Sequence, residues 1–186
     1  MNYIISQIFI IINYLICIIN YQQKKRKTIL ILNIISTIAT AISYMFLGAY
    51  SGLAMTIIAA MRNIMFLINE KMKKSQKREI LTLAIIYIAT IYLASLTYTG
   101  IFSMMTVAAT VIYTYSVWQK NTKIYKFLGI PVGIAAIIYN IYILSIFGII
   151  FETLITISAI LGYAKDNKKI KKETNLNNTL TLQVQN

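Results

Sequence analysis

Two charged side chains stand where an apolar sequence holds charge at greatest cost. Arg62 and Glu152 each lie inside a long apolar stretch, whereas every other basic residue belongs to one of four clusters, at 24–27, 71–78, 120–126 and 165–172. A charge in hydrocarbon costs several kcal/mol on insertion scales, so such a residue is expected to face protein or water rather than lipid. The chemistry open to the pair is recognition: Arg62 meets an anionic or polyhydroxyl ligand, and Glu152 binds a cation, a proton or a hydroxyl. The structural alternative is a salt bridge, or Arg62 snorkelling toward the membrane surface.

Asn63 adjoins Arg62, and Asn140 follows Tyr139 within another apolar stretch. A buried amide needs hydrogen-bond partners, and it can take them from a sugar or amide solute, which makes both residues further binding candidates. Asn33, Ser36, Thr40 and Ser43 follow i, i+3, i+7 and i+10, which sets them on one helical face, and Ser103, Thr106, Thr110 and Tyr113 repeat the spacing. Such stripes line either a solute path or a close helix interface. Gly129-Ile130-Pro131-Val132-Gly133 brackets the chain's sole proline with small residues, which suits a kinked, tightly packed helix or a hinge for alternating access.

Composition removes other chemistries. The chain has no His, and Cys17 is its one cysteine, so His/Cys metal sites, Cys-His nucleophiles and an internal disulfide lack their parts. The remaining acids, Glu70, Glu79, Asp166 and Glu173, stand beside the basic clusters, which argues against a catalytic carboxylate pair. No phosphate-binding glycine loop or nucleophile elbow is found. An enzyme is not expected, nor a cofactor or metal. The net charge of +13 is segregated into clusters rather than spread along a groove, so the expected partner is a bilayer and not nucleic acid.

The elements that carry these residues follow from hydropathy. Hydrophobic residues make up 58% of the chain and charged residues 12%, with a mean hydropathy of +0.68. About 20 apolar residues cross a bilayer as a helix. Seven such segments are predicted near 3–20, 28–47, 51–69, 80–97, 101–118, 126–145 and 147–164, an all-α polytopic membrane protein. Seven crossings put all four basic clusters on one side and the uncharged turns at 48–52, 97–100 and 145–148 on the other. The positive-inside rule then sets the N-terminus outside and the C-terminus in the cytoplasm of a bacterial inner membrane. The first residues lack a basic n-region and cleavage pattern, so they read as a retained span. Tyr21, Trp118, Tyr125 and Tyr163 are expected in an aromatic belt at the cytoplasmic interface, and Tyr3, Tyr50 and Tyr98 at the outer one. The tail, 165–186, is basic and then polar, and is expected to stay solvated and partly disordered.

A shift of 96 residues superimposes the first three spans on the last three without a gap: Gln23-Lys24 falls on Gln119-Lys120, Gly52 on Gly148, and Glu70 on Asp166. The plan is then a repeat at about 3–70, a linker helix at about 80–97 and a second repeat at about 101–164. An even number of crossings precedes the second copy, so the repeats are parallel, an arrangement that puts a substrate site between halves. It resembles the SWEET sugar transporters and the wider PQ-loop group, although Ile35 stands where the second copy has Pro131.

Leu47-Gly48-Ala49-Tyr50, Arg62-Asn63, Tyr115-Ser116 with Trp118, Tyr139-Asn140, and then Ser145, Gly148, Glu152, Ser158 and Gly162 resemble the bacterial inner-membrane family called YgjV, over about Gln23 to Lys168. Ile42 and Tyr44 occupy positions where members carry Trp or His. The resemblance implies a multi-span bacterial membrane protein and names no substrate. The expected function is a small-solute transporter or facilitator, acting alone or as a homodimer, with an unknown polar solute between its halves. The alternative is a non-transporting module such as a receptor, a lipid-binding protein or a complex subunit.

Overall fold

The computed structural model describes residues 2–47, 50–72, 76–96, 101–142 and 146–184, and among them every regular element is helical. The helices are α1 (Asn2–Asn20), α2 (Arg26–Leu47), α3 (Tyr50–Lys71), α4 (Gln76–Leu96), α5 (Ile101–Trp118), α6 (Thr122–Tyr142) and α7 (Ile146–Val184). The turns expected at 48–52, 97–100 and 145–148 fall wholly or partly outside the described residues. Several helices extend beyond the predicted spans at their basic ends, because backbone hydrogen bonding continues into the headgroup region where hydropathy has already fallen. At one such end Asn121 caps α6, its side-chain oxygen accepting from the Lys123 amide at 2.9 Å. The tail differs from expectation: α7 runs on through Val184, and no Gly or Pro follows Gly162 to stop it.

Length and composition qualify five of the described helices as spans: α1, α2, α4, α6 and α7. In α5 the described apolar stretch is Val107–Trp118. α3 sorts its described residues by face. Ile57, Met61, Ile64 and Ile68 are exposed on one side, at the i, i+4, i+7, i+11 spacing of a lipid-facing stripe, while Thr56, Arg62, Asn63 and Asn69 are buried on the other.

Each helix packs against its neighbours in sequence, and α7 returns to α1, so the seven close into a ring. Within each triplet the middle helix holds the outer two: α2 packs on α1 and α3, and α6 on α5 and α7. α4 touches only the inner ends of the triplets, α3 and α5, among the principal contacts. The α1–α7 seam is polar and aromatic. Gln22 Nε2 donates to Ser158 O and Oγ at 2.9 Å each, Ser158 Oγ donates to Ile18 O at 2.7 Å, and Tyr14 stacks on Phe151 with ring centroids 4.5 Å apart. Gly162 permits this approach, since a Cβ there would strike the Tyr21 carbonyl.

Ion pairs gather at the basic end. Arg26 at the start of α2 pairs with Glu70 near the end of α3, and Lys126 in the first turns of α6 pairs with Asp166 in α7 at 2.6 Å. Glu79 of α4 meets Lys120 at 3.2 Å. The first two join the same elements of each triplet, middle helix to third helix.

Candidate functional site

The ring encloses a cavity of about 700 Å³, lined by α1, α2, α3, α5, α6 and α7 but not by α4. A volume of several hundred Å³ is that of a small-molecule site. Polar side chains reach it from helices of both triplets, which explains why their stripes are spaced as helical faces.

Arg62 is 6% exposed and borders the cavity. Its Nη1 donates to Thr114 Oγ1 at 3.0 Å, its Nε to Asn63 Oδ1 at 3.3 Å, and its Cζ lies 5.1 Å from the centroid of the Tyr113 ring. A guanidinium over an aromatic face gains cation–π attraction without neutralising its charge. Among the described residues Arg62 forms no ion pair, so neither the salt bridge nor the snorkelling geometry describes it. Thr114 is 13 residues from the start of α5 and Arg62 12 from the start of α3, so the guanidinium is held at its own level in the bundle.

Around it lies a hydrogen-bonded cluster. Asn63 Nδ2 donates to Thr37 Oγ1 at 3.2 Å. Asn33 Oδ1 accepts from Asn20 Nδ2 at 2.7 Å and from the Tyr113 hydroxyl at 3.0 Å, while Asn33 Nδ2 is buried without a partner. Asn20 also donates to the Tyr125 hydroxyl at 3.3 Å. Tyr21 and Tyr125 stack with centroids 5.0 Å apart and close the basic end of the cavity. They are 5% and 2% exposed, which corrects their expected place in an interfacial belt. The correction has a cause: Gly129 leaves space for the Tyr21 ring, which a Cβ there would displace. Trp118 and Tyr163 are half-buried, Tyr3 is exposed, and the side chains of Tyr50 and Tyr98 lie outside the described residues.

Glu152 lines the cavity six residues from the start of α7, nearer the end opposite the basic clusters, and forms no ion pair among the described residues. Asn140 and Tyr44 line the same end, and both are half-buried. The Asn140 amide donates to Ala136 O in its own helix at 2.8 Å.

Of the residues singled out from the sequence, the structure thus brings Arg62, Asn63, Asn140, Glu152, Asn33, Ser36 and Thr40 to one cavity. Ser43 is not among its walls. That hydroxyl is buried against α1, 2.7 Å from Ser6 Oγ, which corrects its place in a lining stripe: its polar partner lies across the α1–α2 interface. Thr110 and Tyr113 line the cavity, and the side chains of Ser103 and Thr106 lie outside the described residues. Pro131 is exposed on the outer face of α6, between the buried Gly129 and Gly133. Thr114, Thr37, Tyr21 and Tyr125 were not singled out as site residues. Thr37 and Thr114 carry only a weak signal, being adjacent in sequence to Ser36 and Tyr113.

The cavity walls also repeat. Cys17 and Tyr113, Asn33 and Gly129, Thr37 and Gly133, Tyr44 and Asn140, and Thr56 and Glu152 all line it, and each pair is 96 residues apart. Each pair joins residues of different chemistry, so the two triplets line the cavity asymmetrically.

Comparison with curated proteins and with solved structures finds no match. A family model described as a bacterial inner membrane protein, Imp-YgjV, matches residues 4–170, most of the chain and all of the cavity. With a multi-helix membrane fold in hand, that match makes this chain a member of the YgjV family of bacterial inner membrane proteins.

Proposed function

We propose that the protein is a carrier or facilitator for a small polar solute, which binds between two parallel three-helix repeats joined by α4. One observation carries the reading: a cavity of about 700 Å³ drawn from both triplets and not from α4, with Arg62 and Glu152 on its walls and no described ion pair to neutralise either. Uncompensated charge at membrane depth is costly, and a site for a charged or polar solute is what commonly retains it. The 96-residue spacing of lining pairs supports the repeat, and the clustered Lys and Arg support a cytoplasmic basic end with the N-terminus outside. A lone carboxylate without a partner base supports binding over catalysis.

Full-length protein reconstituted in proteoliposomes provides the test, with uptake measured across sugars, nucleosides, vitamins, amino acids and short peptides. Saturable uptake or exchange of one class, lost in Arg62→Gln protein that still elutes as a folded species, is the expected result. No uptake, exchange or ligand-induced stabilisation for any class overturns it.

A further inference from the structure

The two charges in the cavity are of opposite sign and stand at different depths. α3 and α7 enter the bundle from the same end, and Arg62 is 12 residues from the start of α3 whereas Glu152 is six from the start of α7. At 1.5 Å rise per residue the difference is roughly 9 Å along the helix axis. Thr114 and the Tyr113 ring hold the guanidinium at the deeper level, so the separation is not closed by Arg62 reaching toward the acid.

The deeper level is rich in donors. Arg62 Nη2 makes no hydrogen bond to another described residue, and Asn33, 3% exposed, has its Nδ2 buried and unpartnered at the cavity wall. A buried donor without an acceptor costs about 1–3 kcal/mol, which a ligand acceptor would recover. The shallower level offers a carboxylate, an acceptor only when ionised. The described wall charges sum to zero. A solute with one net charge would satisfy one of these groups and face the other unmatched, whereas an overall neutral solute with separated charges would satisfy both.

We infer that the cavity takes a zwitterion whose charges are several ångströms apart, an ω-amino acid or a short peptide, with its carboxylate on Arg62 and the Asn33 amide and its ammonium on Glu152. The inference rests on the cavity being the solute site proposed above. A plain α-amino acid, with both charges next to one carbon, is too short to span the two levels.

The test uses ε-aminocaproate as probe, with its N-acetyl derivative lacking the cation, its amide lacking the anion, and glycine lacking the spacing. Binding to the full-length protein in nanodiscs is measured by calorimetry and by thermal shift. In the wild type the parent compound is expected to bind roughly tenfold or more tightly than any of the other three, the ratio a charge-assisted hydrogen bond supplies. Glu152→Gln should abolish the preference over the N-acetyl derivative while keeping the preference over the amide. Arg62→Gln should do the reverse. Each variant is thereby its own folding control, and if Arg62→Gln does not fold, the wild type and Glu152→Gln decide between them. Equal binding of the four compounds, a preference for an uncharged or singly charged one, or no binding of the parent overturns the inference. Labelled ε-aminocaproate in proteoliposomes separates the two readings. The binding pattern without uptake or exchange removes the carrier and leaves the zwitterion site. Saturable uptake of a singly charged or uncharged solute, with no zwitterion preference, does the opposite.

Discussion

Single residues decide how closely the helices approach, and three glycines show it with different outcomes. Gly→Ala inside a helix ordinarily gains about 1 kcal/mol of intrinsic propensity. At Gly162 the added methyl would meet the Tyr21 carbonyl, backbone of the neighbouring connection that cannot turn aside. At Gly129 it would meet the Tyr21 ring, which is stacked on Tyr125 and has little room to yield. At Gly133 it would meet the Thr156 side chain, whose Oγ1 can rotate away at the loss of its 2.7 Å bond to the Glu152 carbonyl while its Cβ, 3.2 Å off, has only a few tenths of an ångström to give. Overpacking costs about 1–3 kcal/mol where nothing can relax. Gly162→Ala is therefore expected to lower the unfolding temperature in detergent most, Gly129→Ala next, and Gly133→Ala least. A Gly162→Ala protein as stable as the wild type would show that the α1–α7 seam is looser than described.

At the scale of elements, the ion pairs that tie middle helix to third helix differ in how much they hold. Lys126 is 1% exposed and its partner Asp166 16%, so Asp166→Asn leaves a buried ammonium without a counter-charge, a loss of about 3–5 kcal/mol for a fully buried pair and less for this partly open one. Arg26 keeps its 2.8 Å bond to the Trp118 carbonyl when Glu70 is neutralised, and Glu70 is already 32% exposed. Lys120 is 67% exposed, and such pairs hold little. Thermal unfolding should rank Asp166→Asn above Glu70→Gln and Glu70→Gln above Lys120→Ala; an Lys120→Ala drop equal to that of Asp166→Asn would remove burial as the cause. These pairs were visible in sequence only as equivalent acids, Glu70 and Asp166. Their basic partners, Arg26 and Lys126, are spaced one helical turn wider than the acids, which a gapless shift cannot register. Hydropathy located the apolar stretches well, because lipid contact is what it measures. It placed Tyr21 and Tyr125 in an interface belt, because an amphipathic ring at a span end has the same signature whether it meets headgroups or stacks beneath a glycine. The cavity itself was legible in its polar stripe and isolated charges, whereas Thr114 and Thr37 were not, since a threonine bonding across helices and one bonding its own helix are identical in sequence.

Across the whole molecule, the ring is closed at one end and lined by half-buried groups toward the other. Tyr21, Tyr125 and Asn20 are buried at the basic end, while Tyr44, Asn140 and Glu152 at the far end are half-buried. Cys17 lies between these limits as a native reporter: it borders the cavity and is the chain's one cysteine, 15 residues from the start of α1 and so about 22 Å along its axis. With the basic end cytoplasmic, a membrane-impermeant methanethiosulfonate added to intact cells should reach Cys17 through the cavity, and the same reagent added to inverted vesicles should be stopped at the tyrosine stack. Cys17→Ser supplies the blank, and fluorescence of a C-terminal green fluorescent protein fixes which side the basic end faces. With that side established as cytoplasmic, labelling from inverted vesicles and not from cells would mean that the cavity opens past Tyr21 and Tyr125 rather than past Tyr44, Asn140 and Glu152.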